Sequence, residues 1–168
     1  MKQPESRNRT GNGSHRLVVF TLDEQRYALR LEVVERVVRV VETTPLPKAP
    51  AIVLGLANFR GLVLPVLNVR ARFRLPSREI HLSDQLVLAH TANRPVVLWV
   101  DTVVGVIERS AAELVPVDRI LPRVEYVEGV TTLLDALVLI HDLDKFLSLE
   151  EENLLGRALT DCGEARND

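Results

Sequence analysis

The chain repeats itself, and the repeat limits its possible folds more than any other feature. Leu86-Val-Leu-Ala89 matches Leu17-Val-Val-Phe20, and Val100-Asp-Thr-Val-Val-Gly-Val-Ile107 matches Leu31-Glu-Val-Val-Glu-Arg-Val-Val38, both 69 residues on (17 to 86, 31 to 100). Farther along, Gly129 matches Gly55, Asp135 matches Gly61 and Asp142 matches Asn68, now 74 residues on. The five extra residues fit a connecting loop near Pro122. Neither half, about 15–80 or 81–150, is large enough to be comfortably stable alone, so the expectation is two small units packed on a shared core.

Those units read as sheets of short strands. Leu17-Val-Val-Phe20, Arg26-Tyr-Ala-Leu-Arg-Leu31 and Leu62-Val-Leu-Pro-Val-Leu67 are apolar runs separated by turn residues such as Asp23-Glu24-Gln25 and Pro45-Leu46-Pro47. About five strands per half predict an all-β chain of two barrels. Strands near 17–31 and 62–67 are expected in one, and those near 86–100 and 137–141 in the other. Pro65 points to an edge strand or a bulge. Leu31 to Val41 fits either a helical stripe or a valine-rich strand. Helices are minor: Ser110-Ala-Ala-Glu113 and Ser148-Leu-Glu-Glu151 have capping-box spacing, the second opening a C-terminal helix of about ten residues. Asn68 and Asp142 read as N-caps of short turns. Residues 1–14 are polar and read as a flexible leader, 15–155 as the folded domain and 156–168 as a polar tail holding the single cysteine, Cys162.

Function classes fall away in turn. A composition 46% hydrophobic and 26% charged is that of a globular protein. Lacking a long apolar run or a signal-like leader, the chain is expected in the cytoplasm. With 21 basic and 23 acidic residues there is no global charge to recruit nucleic acid. No phosphate loop, metal-spaced Cys/His set or serine elbow is present, and no cofactor is expected. Two weaker readings stay open. His141, Asp142 and Asp144 could serve a small enzyme, although Asp142 is explained as a cap and His141 matches Leu67, an apolar strand position. Arg70, Arg72, Arg74 and Arg78 around Phe73 could serve an SH3-like nucleic-acid module, although such arginines usually form a solvated face.

The repeat also supplies a control, because a residue needed only for a barrel should have a like partner in the other half. Glu35 matches Val104 and Arg60 matches Leu134, so an acid and a base stand where the second half is apolar. Both sit among apolar or glycine neighbours, which marks a protein contact, and they are expected close enough to pair.

Phe20-Thr-Leu, Tyr27-Ala-Leu, Val34-Glu-Arg-Val37, Pro45-Leu-Pro47, Gly55-Leu-Ala-Asn-Phe-Arg-Gly61, Pro65-Val-Leu-Asn-Val-Arg70 and Leu139-Ile-His-Asp-Leu-Asp-Lys-Phe-Leu147 resemble the CheW family over about residues 15–155. The resemblance implies two five-stranded SH3-like barrels sharing a hydrophobic core, and a non-enzymatic adaptor coupling chemoreceptors to the histidine kinase CheA. It implies receptor contacts at Val33, Glu35, Gly55, Arg60 and Gly61, made with the hairpin tip of the receptor's cytoplasmic part. A separate barrel face would meet the CheW-like regulatory domain of CheA. Such a chain is recruited to receptor arrays at the inner face of the membrane without inserting into it. Phe59, Lys48, Arg74 and His141 depart from the family's usual residues.

Overall fold

The computed structural model describes residues 13–116 and 126–165. The expected leader therefore lies almost wholly outside the described residues, as do the loop near Pro122 and the last three residues of the tail. In chain order the strands are β1 (Ser14–Leu22), β2 (Gln25–Arg30), β3 (Val34–Arg39), β4 (Thr43–Thr44), β5 (Val53–Phe59) and β6 (Leu62–Leu67), then, after helix α1 (Val69–Arg72), β7 (Gln85–His90), β8 (Pro95–Val100), β9 (Thr102–Ser110), β10 (Val115–Pro116), β11 (Val127–Leu133) and β12 (Ala136–His141). Helix α2 (Leu149–Ala165) follows. One six-stranded sheet runs β10-β11-β12-β2-β1-β9 and the other β4-β5-β6-β8-β7-β3. Each is an SH3-like barrel subdomain of five regular strands plus a two-residue strand, β10 or β4. We call them barrel A and barrel B.

The expected division of strands between the barrels is wrong. The hairpin β1–β2 does not join β6: β2 lies parallel to β12, with Tyr27 opposite Leu139. Conversely β6 lies parallel to β8, with Val66 opposite Val97. Each barrel takes its first hairpin from one half and its other four strands from the other half. The connections explain the exchange. Between β8 and β9 stands Asp101 alone, fewer than the two residues the tightest hairpin needs, so the chain runs out of one sheet into the next. Between β2 and β3 stands a single 3-10 turn, Leu31–Val33, which resolves the ambiguity of that segment as a turn followed by a strand.

The exchange also accounts for the unbroken apolar runs, since strands covered on both faces need no polar alternation. On β7, Leu86 and Leu88 fill the interior of barrel B while Val87 and Ala89 face the core between the barrels. On β1, Leu17 and Val19 fill barrel A while Phe20 and Leu22 face the shared core. Helix α2 closes that core. Ser148 and Glu151 form the expected capping box: the Glu151 amide donates to Ser148 Oγ (3.1 Å) and the Ser148 amide to Glu151 Oε1 (2.9 Å). The helix runs 17 residues rather than about ten. Leu155 and Ala158 are buried in the shared core, and Leu159 and Cys162 pack against it. This stripe continues through what composition alone marked as tail.

Local irregularities repeat as faithfully as the strands. Glu35 is an extra residue bulging from β3 between the pairs Val34–Ala89 and Arg36–Leu88. Its match Val104 bulges from β9 in the same way. The β5–β6 turn holds Arg60 and Gly61 at φ of 56° and 94°, and the β11–β12 turn holds Leu134 and Asp135 at 50° and 64°. Both are two-residue hairpin turns of the left-handed kind that suits strand twist. Asn68 and Asp142 both cap, accepting from the Ala71 and Asp144 amides. Pro65 sits on an internal strand, not an edge. It is tolerated because the parallel ladder to β8 begins only at Val66, so no partner asks for its missing N–H there.

Candidate docking site

Barrel B presents the residues singled out from the sequence, though not as one cluster. At the tip of β5–β6, Asn58 Oδ1 accepts the Gly61 amide at 2.7 Å, which pins the turn and leaves the Arg60 side chain exposed. Glu35 is exposed on its bulge at the edge strand β3. In the sheet, β7 and β8 separate β3 from β6. The expected ion pair is absent: among the described residues neither Glu35 nor Arg60 has a charged partner within 4.0 Å. Strand pairing, rather than charge, places them. Val33 is half-buried in the 3-10 turn, packed against the shared core.

Gly55 differs in kind. It is buried at a bulge in β5 with φ of 155°, and a Cβ there would stand 2.2 Å from the Thr44 carbonyl oxygen. Its glycine is demanded by the close approach of β4, so its contribution to any contact runs through the backbone. A groove of about 410 Å³ opens beside it, lined by Val41, Thr44, Leu56, Asn58, Val63 and, from α2, Cys162. Barrel A carries the same bulge and turn with Val104 in place of Glu35 and Leu134–Asp135 in place of Arg60–Gly61; Val104 and Leu134 are exposed, as are Val106 and Leu137.

The His141 cluster does not assemble. The imidazole is buried beside Phe20, Tyr27, Phe73 and Phe146, nearest to Phe73 at 4.2 Å between ring centres, and neither nitrogen has a hydrogen-bond partner. Burial pushes its pKa down to about 3. The carboxylates are engaged elsewhere: Asp142 caps its turn, and Asp144 accepts the Ala92 amide at 2.7 Å. This histidine is a core residue, a neutral ring where the other half has Leu67.

The arginine run holds a correction as well. Arg70 is only 1% exposed, donating to Asp23 Oδ1 (2.7 Å) and to both Asp101 oxygens (2.8 and 2.9 Å). Arg78 forks onto Asp84 (2.8 and 2.8 Å) and reaches Asp101 Oδ1 at 2.6 Å. Arg72 binds Glu151 on α2. Three of the four arginines are thus engaged with carboxylates inside the protein, and the solvated face is reduced to Arg74. Burial alone would raise the Asp84 carboxyl; the Arg78 guanidinium, the His81 amide and the Trp99 indole outweigh it and hold its pKa at about 2. The Arg70 guanidinium lowers that of Asp23. Sequence reading missed this network, yet the repeat held a signal: Arg70 matches Asp144, Asp84 matches His15 and Trp99 matches Arg30, unlike pairs of the same kind as Glu35 and Val104.

No helix among the described residues is long and apolar enough to cross a membrane. A family model described as CheW-like domain matches residues 16–151. The chemotaxis protein CheW of Rhizobium meliloti (strain 1021) is 29% identical over 142 residues, covering 83% of this chain and 92% of that protein. The chemotaxis protein CheW of Treponema pallidum (strain Nichols) is 26% identical over 141 residues, covering 80% and 83%. Among solved structures, the scaffolding protein TtCheW from Thermoanaerobacter tengcongensis superimposes with a TM-score of 0.73 at 26% identity, covering 83% of this chain and 96% of that one.

Proposed function

This chain belongs to the CheW-like family, and on that footing we propose that it couples chemoreceptors to the histidine kinase CheA by holding both at once. It is a chemotaxis scaffold, not an enzyme. The receptor's cytoplasmic hairpin tip docks on barrel B across Val33, Glu35 and the Arg60–Gly61 turn, with Gly55 fixing the backbone beneath. The CheW-like regulatory domain of CheA docks on a separate face, on barrel A, where Val104, Val106, Leu134 and Leu137 offer exposed apolar surface. The work is done in the cytoplasm, at the inner face of the membrane. The observation that carries this reading is the contrast between matched sites: one bulge and one turn occur on both barrels, with Glu35 and Arg60 on one where the other has Val104 and Leu134. Identical scaffolds with unlike surfaces suit two different partners.

The test is a ternary pull-down of this protein with a receptor cytoplasmic fragment and CheA, read alongside kinase activity. Both partners are expected on the protein together, with kinase activity under receptor control only when it is present. Arg60→Ala is expected to leave the melting temperature nearly unchanged and to weaken receptor binding about 30-fold, the equivalent of about 2 kcal/mol for a desolvated interface charge. Mutual displacement of receptor and kinase, or unchanged receptor binding by Arg60→Ala, rules the reading out.

A further inference from the structure

The chain passes between the barrels at two places that match in the repeat, and the two are held very differently. At the β8–β9 crossover, Asp101 is tied on every side. Its amide donates to the Thr21 carbonyl (3.0 Å), its carboxylate accepts the Asp23 amide (2.8 Å) from the β1–β2 turn of barrel A, and it binds both Arg70 and Arg78. Arg70 follows directly on β6, and Arg78 is anchored to Asp84 at the head of β7, so both belong to barrel B. Trp99 of β8 donates to Asp84 (2.9 Å) and lies beneath both guanidiniums, 5.8 and 5.3 Å from its ring centre. The network therefore clamps barrel A to barrel B through directed, charge-assisted bonds, whereas the apolar core between the barrels is non-directional.

At the β2–β3 crossover, Glu32 stands where the other has Asp101. It is exposed, and among the described residues it makes no ion pair and no side-chain hydrogen bond. The Leu31–Val33 turn contains no buried residue. Val33 and Glu35 lie in and next to this more lightly held crossover, where the bond matching Arg70–Asp23 is a single one, the Ala92 amide of barrel B donating to Asp144 of barrel A (2.7 Å).

We propose that the two crossovers are mechanically unequal: the Asp101 network is a fixed pivot between the barrels, and the Leu31–Val33 turn is the yielding side, which a partner docking at Val33 and Glu35 moves or locks. This rests on the docking reading above and adds to it a route by which an event on barrel B reaches barrel A without unfolding either. Two arrangements of one packed interface, biased by a ligand, are what such coupling requires.

The experiment uses paired spin labels in the full chain with Cys162→Ser, measuring distances by double electron–electron resonance. One pair spans the pivot, at Glu24 and Glu79; the other spans the yielding side, at Arg16 and His90. All four positions are exposed. Without partner, the Glu24–Glu79 distribution is expected to be narrow and the Arg16–His90 distribution broad. Adding the receptor cytoplasmic fragment should shift or narrow the second and leave the first alone. Asp101→Asn should broaden the first. Asp23→Asn, at a more exposed position, supplies the same readout if the former variant folds poorly. Binding of the fragment is followed separately by titration. Binding with no change across Arg16–His90, or equal widths for both pairs in the free protein, overturns the proposal and leaves the docking reading standing. Absence of binding overturns the docking reading itself.

Discussion

His141 shows how much one buried side chain can impose on the pH response. Unfolded, its imidazole titrates near the ordinary 6.5; folded, it is held at about 3 by burial among aromatic rings. Between those values the unfolded chain binds a proton that the folded chain refuses, so stability falls as pH drops through that window, by at most about 1.4 kcal/mol per pH unit. His141→Leu, which copies Leu67 of the other half, is expected to flatten the urea midpoint between pH 6.5 and pH 4. The acid loss that persists below pH 4 then belongs to carboxylates such as Asp84, whose depressed pKa stabilises the fold above its unfolded value of 3.8 and is overcome as pH approaches 2. An unchanged midpoint profile in His141→Leu would mean the ring is solvated in the native protein. Gly55 makes the complementary case for a residue whose role is backbone. Gly55→Ala sets a methyl against the Thr44 carbonyl and is expected to cost on the order of 3 kcal/mol or more, seen as a large fall in melting temperature. Arg60→Ala, a few residues away, should barely move it. If Gly55→Ala melts like the parent, β4 does not press on β5 as described.

Helix α2 follows closely on β12 of barrel A, yet it seals the core that joins both barrels. Leu155 is fully buried in that core, and Leu155→Ala is expected to cost about 2 to 5 kcal/mol, with one cooperative transition retained because both barrels share the cavity. Two separate transitions in calorimetry would show that the barrels melt independently. The start of this helix was readable from Ser148 and Glu151, because a capping box is a local signal. Its length was not, since Gly156, Thr160 and Gly163 dilute an apolar stripe that only the packed structure completes. The same division runs through the strands. The matched bulges at Glu35 and Val104 and the turns at Arg60 and Leu134 could be paired by counting residues. Which hairpin enters which barrel could not be, because equivalence between segments carries no information on who pairs with whom. Arg70 looked like surface for a related reason: its carboxylate partners, Asp23 and Asp101, are 47 and 31 residues away and converge on it only through the crossovers.

At the scale of the whole molecule, the exchange of hairpins makes each barrel a joint product of both halves. Cleaving the backbone between Glu79 and Ile80, in the connection from β6 to β7, is expected to give two fragments that are unfolded alone and recover native strand content on mixing, because neither contains all six strands of a barrel. Circular dichroism of each fragment and of the mixture decides it, and a fragment that folds unaided contradicts the composite construction. The same construction bears on ancestry. A polypeptide with only one copy of the pattern, one hairpin and four strands, could close such barrels only by lending its hairpin to a second molecule and borrowing that molecule's in return. The present chain has the geometry of that reciprocal pair written into one gene product, and fusion removes the obligation of sameness: in a pair of identical copies every surface change occurs twice, whereas here Glu35 and Arg60 could become charged while Val104 and Leu134 stayed greasy.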